Sequence, residues 1–153
     1  MTQPSEKPVA LITGASSGIG EGVARRFAAG GWRVVIVARR QERLAQLERA
    51  LSELTQVASV AVDVTAKDAP ERAVGAAMQA FGRLDCLVNN AGSGKWAPVG
   101  DTDDATLDEI IDTSLKAPFR FARAAIGVMR SGSSIINVGS TFGILGGING
   151  GAY

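Results

Sequence analysis

The 153-residue sequence predicts an α/β domain built as a doubly wound parallel sheet. Three observations carry that expectation. Short apolar runs without polar alternation, Val9-Ala10-Leu11-Ile12 and Val34-Val35-Ile36-Val37, have the pattern of strands buried on both faces. Each run is followed by a stretch whose apolar residues recur at helical spacing. Between the first run and the first helical stretch lies TGASSGIG, residues 13–20, so strand, glycine turn and helix follow in direct succession.

Taken in order, Val23, Phe27 and Ala28 mark the inner face of the first helix, and Gly30-Gly31 ends it. Residues 33–38 read as a second strand. Residues 41–54 read as a second helix with Leu44, Leu47, Leu51 and Leu54 on one face. A third strand over 57–63 precedes a third helix over 68–81, which starts on Asp68 and stops before Gly82. Residues 86–89 form a fourth strand. Residues 104–129 are helical by pattern, with Leu107, Ile110, Ile111, Leu115, Phe121, Ala122, Ala125 and Met129 inward, and Pro118 should bend or restart that helix. A fifth strand covers 134–138, and the glycine-rich tract 143–151 follows it, where loops of a doubly wound sheet line a ligand crevice. The length fits one domain and the sequence holds no repeat or linker.

Sixteen basic against fifteen acidic residues leave a net charge of +1, which gives no electrostatic reason to expect nucleic acid or an anionic membrane as partner. The sequence contains no histidine, so acid/base work falls to Tyr, Lys, Asp or Glu. Cys86 is the only cysteine and no metal-ligand grouping is seen, so no metal is expected. A polar start, residues 1–7, and apolar runs too short to span a bilayer point to a soluble, cytoplasmic protein.

Gly14, Gly18 and Gly20 let the backbone turn tightly and approach a bound group, and the positive end of the following helix suits a pyrophosphate. The spacing is GxxxGxG, and a mobile turn is the alternative. Ser16 and Ser17 add hydroxyls to the same loop, and Ile19 belongs to it. At the end of the second strand stand Arg39 and Arg40 with no acid, so a 2′-phosphate is favoured over two free ribose hydroxyls and NADP over NAD. Arg39 is the preferred contact; Arg40 fits contact and solvation of the next helix equally. Asp63-Val64 would lie beside an adenine, where Asp63 accepts from the exocyclic amine or caps the turn before Thr65. Asn89-Asn90-Ala91-Gly92 puts amides beside open space, either as the wall behind a ribose and nicotinamide or as an ordinary turn.

On residues 13–20, residues 89–92, and Ile136-Asn137-Val138-Gly139-Ser140 leading to Tyr153, the sequence resembles the short-chain dehydrogenase/reductase family over its whole length. The resemblance implies a Rossmann-type domain binding NAD(P) and moving a hydride between nicotinamide and a small carbonyl or alcohol. By similarity Gly14, Ser16, Ser17, Gly18, Ile19, Gly20, Asn89, Ala91, Gly92, Val138 and Tyr153 contact the cofactor, Ser140 holds the substrate oxygen and Tyr153 exchanges its proton. A free tyrosine titrates near ~10 and needs a cation beside it to work at neutral pH.

In the family that cation is a lysine four residues after the tyrosine, and this sequence stops at Tyr153. It therefore reads as a Rossmann-type sheet truncated after the fifth strand, with an open apolar edge, a tendency to aggregate and negligible turnover. Ser114 stands where the family has an asparagine that holds a relay water; it serves through its backbone carbonyl or is simply a small helix residue. Lys95, Trp96, Pro98, Val99, Phe142, Ile144 and Leu145 form substrate-pocket walls or loop surface. Complete family members pair through the long helix, which implies a homo-oligomer. Two functions remain open: an NADP-dependent oxidoreductase, and a non-catalytic nucleotide-binding or interaction protein.

Overall fold

A computed structural model describes residues 7–152. Its sheet is parallel and runs β3-β2-β1-β4-β5, with β1 Val9–Thr13, β2 Arg33–Ala38, β3 Val57–Ala61, β4 Cys86–Asn89 and β5 Ser134–Asn137. The helices are α1 Gly18–Ala29, α2 Gln41–Ser52, α3 Ala69–Phe81, α4 Asp104–Ile111 and α5 Ala117–Ile126.

The unbroken apolar runs divide between two cores by strand alternation. Val9 and Leu11 of β1, Val35 and Val37 of β2 and Leu87 of β4 face a cluster with Ala73 and Ala77 of α3 and Phe121 and Ala125 of α5. The intervening Ala10, Ile12, Val34, Ile36 and Val88 face Ala24 and Ala28 of α1 and Leu44, Leu47 and Leu51 of α2. Successive strand side chains point to opposite faces, so a strand covered on both sides has no position left for a polar residue.

Strand order reverses between β1 and β4, whose register pairs Ile12 with Val88. Crossovers to opposite sides of this pair leave a crevice at the carboxyl ends, where ligands of such sheets bind.

Four expectations are corrected. Helix α2 ends at Ser52, so Leu54 lies in the following turn, 56% exposed. Strand β3 stops at Ala61 rather than 63, although Val62 N–H still donates to the Ala38 carbonyl. The long helix stops at Ile126 as a regular element. Between α4 and α5, residues Asp112–Lys116 form a π turn, with Ala117 N–H donating to the Asp112 carbonyl. A π turn adds one residue to the helical circuit and shifts the inward face by about 100°. Leu115, within this turn, is 66% exposed, and Leu107 before it is also on the exposed side, whereas Ile110, Phe121 and Ala125 are buried. Pro118 falls in the first turn of α5, where its missing N–H costs least.

Among the described residues β5 pairs only with β4. Ile136 and Val138 at this edge are exposed, as are Phe119 and Ile126 on α5. No helix among the described residues is long and apolar enough to cross a membrane.

Candidate active site

The glycine loop leaves β1 at Thr13, and that residue fixes its course. Thr13 is buried; its hydroxyl accepts from Asn90 N–H at 3.0 Å and Ala91 N–H at 3.1 Å and lies 3.4 Å from the Val88 carbonyl, to which it donates. In return the Asn90 amide donates to the carbonyls of Thr13 at 3.0 Å and Gly14 at 3.4 Å. The ends of β1 and β4 are thus tied by one hydroxyl and one amide. Gly14 has φ +68°, in the left-handed region, and a Cβ there would stand 2.9 Å from Ala91 Cα, so both backbone and space require glycine. Gly20 is buried because α1 packs directly on this turn.

This arrangement opens a cleft of about 440 Å³ across the ends of β1, β2 and β3. Gly14, Ser16, Ser17 and Ile19 form its floor, and Arg39, Arg40, Asp63 and Val64 close one end. Ala91 and Gly92 close the other, together with Thr113 and Glu109 from α4 and the π turn. Gly18 is exposed with φ +58° and turns the chain into α1.

Charge in the cleft is concentrated at the end of β2. The Arg40 guanidinium donates to Ser16 Oγ at 2.9 Å and to Ser17 Oγ at 2.7 Å. Arg39 instead lies 3.5 Å from the Asp63 carboxylate. Asp63 Oδ1 accepts from Thr65 N–H at 2.9 Å and Thr65 Oγ1 at 2.8 Å, so the residue caps the turn with one oxygen and faces Arg39 with the other. Partial burial pushes this carboxyl up, but the Thr65 hydrogen bonds and the Arg39 charge together outweigh that and hold it below its ordinary value. Asp63 thus faces Arg39 across an exposed 3.5 Å contact, and Arg40 is turned to the serine hydroxyls.

A second cavity, of about 860 Å³, adjoins the first and shares Ile19, Asn90, Ala91, Gly92 and Ser93 with it. It brings Ser114 of the π turn, Val138 and Ser140 together. Ser140 Oγ accepts from Phe142 N–H at 3.2 Å, capping a short turn over Thr141–Gly143; its O–H remains the donor available to a ligand. Pro118 has no N–H to give the Ser114 carbonyl four residues back. Asn89 is buried under the cavity floor, its amide donating to Asn137 Oδ1 at 2.9 Å and lying 3.4 Å from the Pro118 carbonyl, so it fastens β4 to β5 and α5. Tyr153 lies outside the described residues.

Sequence reasoning overlooked Thr13 and Asn90. The two motifs that contain them were each visible, but a bond spanning 77 residues shows in neither. Of the wall residues proposed after β4 and β5, Trp96 and Phe142 line the second cavity, and Ile144 and Leu145 are exposed outside it.

A short chain dehydrogenase family model matches residues 8–153. Sulfoacetaldehyde reductase 2 of Chromohalobacter salexigens is 37% identical over 139 residues, covering 88% of this chain and 55% of that protein. A metagenomic short-chain oxidoreductase solved in complex with NADP superposes with a TM-score of 0.87 at 38% identity, covering 95% of this chain and 68% of that one. NAD+-bound xylitol dehydrogenase superposes with a TM-score of 0.91 at 29% identity, covering 98% and 60%. The chain spans about half the length of the curated relatives it matches. The glycine loop tied to Asn90, the sheet that reverses at that tie and a family match over nearly every residue agree: this chain belongs to the short chain dehydrogenase family.

Proposed function

We propose that this chain is the nucleotide-binding part of an NADP-dependent oxidoreductase acting on a small carbonyl or alcohol. The observation that carries the cofactor preference is Arg40, joined to Ser16 and Ser17 at the end of β2. That group of one guanidinium and two hydroxyls has the donors a 2′-phosphate needs, and Asp63, the carboxylate at that end of the cleft, is engaged with Thr65 and Arg39. The unpaired first N–H groups of α1 suit the pyrophosphate, Asp63 and Val64 flank the adenine end, and the small Ala91 and Gly92 leave room where the two cavities meet. A nicotinamide supplies a hydride donor or acceptor when bound. Ser140 orients the reacting oxygen through its free O–H and stabilises charge that develops on it.

A phenol acting as proton donor at neutral pH needs a cation beside it, and among the described residues no cation lines the Ser140 cavity. We therefore infer that the 153-residue chain binds nucleotide without steady turnover. The test is titration of the purified chain with NADPH and NADH, followed by cofactor fluorescence. NADPH should bind more tightly, and Arg40→Ala should weaken NADPH about 10- to 100-fold, the worth of charge-assisted hydrogen bonds, while leaving NADH unchanged. Equal affinities for the two cofactors would sink the preference.

A further inference from the structure

We propose that the cavity beside Ser140 accepts an uncharged, ring-sized ketone or alcohol and excludes small anionic aldehydes. This deepens the carbonyl-reduction reading and rests on it.

None of the described residues lining the cavity is charged. Its polar groups are the serines and asparagines around the strand ends, and much of the remaining wall is aromatic or aliphatic: Trp96, Phe142, Leu115, Pro118 and Phe119. Trp96 and Phe142 meet edge to face, with ring centroids 4.9 Å apart and planes at 79°. Their position is held from behind. A Cβ on Gly150 would stand 2.9 Å from Trp96 Cζ3, a Cβ on Gly147 would stand 2.6 Å from Phe142 Cδ1, and Ala97 pairs with Gly150 across a backbone bridge. The glycine-rich tract after β5 therefore lets the loop after β4 close against it with both rings in place. Trp96 is 54% exposed and Phe142 40%, so they present apolar surface for a ligand to cover.

The nearest lysines are turned to other partners. Lys95, next to Trp96 in the chain, reaches Glu109 at 3.0 Å, and Lys116 reaches Asp112 at 2.7 Å. An anion entering the cavity would give up water and find no opposite charge on the wall, a desolvation that an uncharged ring does not incur. The nicotinamide would take the end of this cavity at Ala91 and Gly92, and the remainder of its about 860 Å³ leaves room for a ring-bearing ligand against Trp96 and Phe142, whereas a two-carbon sulfonate would leave most of that aromatic wall wet. By this reasoning the chain departs in substrate from its relative sulfoacetaldehyde reductase 2 despite 37% identity.

The chain has two tryptophans, so Trp32→Phe leaves Trp96 as the sole indole reporter, with Trp32→Tyr as a second background should the first not fold. Emission excited selectively at tryptophan is followed while trans-1-decalone or sulfoacetaldehyde is added, with and without NADP+. A saturable change with decalone, weakened at least about tenfold by Phe142→Ala or Phe142→Leu, and no saturable change with sulfoacetaldehyde is the expected result. Saturation by sulfoacetaldehyde at equal or lower concentration, or silence of Trp96 to decalone, overturns the proposal. Failure of NADPH to bind in the separate cofactor titration overturns the cofactor reading instead, and the ketone preference is still read from the titration without nucleotide.

Discussion

Three glycines near the start of α1 look alike in sequence and differ in what surrounds them, which gives a test of how the cradle is built. At Gly20 an added Cβ would fall well inside contact distance of the Gly14 carbonyl oxygen and 2.5 Å from Asn90 Nδ2. The oxygen is backbone and the amide is engaged with Thr13, so neither yields without moving the loop. At Gly22, exposed in the same helix, nothing lies within 4 Å of the added atom. At Gly18 there is also open space, but φ is +58°. Overpacking at a rigid site costs about 1–3 kcal/mol, and alanine in a helix returns about 0.5–1 kcal/mol over glycine. Gly20→Ala should therefore lose up to about 2.5 kcal/mol net, lowering Tm by up to roughly 10 °C for a chain of this size. Gly22→Ala should gain about 0.5–1 kcal/mol. Gly18→Ala should lose about 1 kcal/mol through backbone strain alone. Urea unfolding gives the stabilities, and NADPH titration on the same samples reports the loop; only Gly20→Ala should combine lost stability with a displaced Asn90. A Gly20→Ala protein as stable as Gly22→Ala would refute the packing account.

Other outcomes follow from single contacts. Thr13→Val keeps the shape and removes the acceptor for two backbone N–H groups, so it should cost about 1–3 kcal/mol, with Thr13→Ser restoring most of it in the same melt. Asp85 accepts from Val9 N–H at 2.8 Å and pairs with Arg83 at 2.7 Å; burial pushes its carboxyl up, but these contacts win and hold it below its ordinary value. A depressed folded pKa gives stability that is full above the unfolded value near ~3.9 and is lost as pH falls through the folded one. The stability gap between the natural chain and Asp85→Asn should thus be widest at neutral pH and close on acidification below about pH 4, read as Tm against pH. Cys86 is 3% exposed, and burial, with the Asp85 charge beside it, pushes its thiol up. A thiol reagent should label it only as fast as the sheet opens; immediate labelling of the native chain would contradict its place in β4.

The central strands were legible because a strand covered on both faces leaves an apolar run, as in β1 and β2; the edge strands β3 and β5 are partly exposed and were read from shorter apolar stretches, and all five expected strands are present. Helix interiors were legible only where the helical period holds. Leu115 was placed inward with Leu107 and Ile111, yet it is exposed, and it lies within the π turn at Asp112–Lys116, whose added residue that reading did not include. Nothing in DTSLK itself signals that extra residue. Leu54 continued the leucine stripe in sequence after the helix had ended. Around the cleft, sequence reading favoured Arg39 over Arg40, whereas in the fold Asp63 engages Arg39 and Arg40 turns to the serines. Asp63 and Arg39 are far enough apart in the chain that their meeting depends on the register of β2 with β3. The turn-capping reading of Asp63, by contrast, needed only its neighbour Thr65 and was visible locally.

The bond between Thr13 and Asn90 bears on how this domain can be recombined. Because the hydroxyl on β1 and the amide after β4 each satisfy the other's backbone, the glycine loop and the turn 90–92 are one part in two pieces of chain. A chimaera that takes residues 13–20 from one relative and 89–92 from another joins two halves of a lock cut separately. Grafts that carry Thr13, Gly14, Gly20 and Asn90 as a set should keep the cradle's shape, and crossovers placed between them should be the ones that fail.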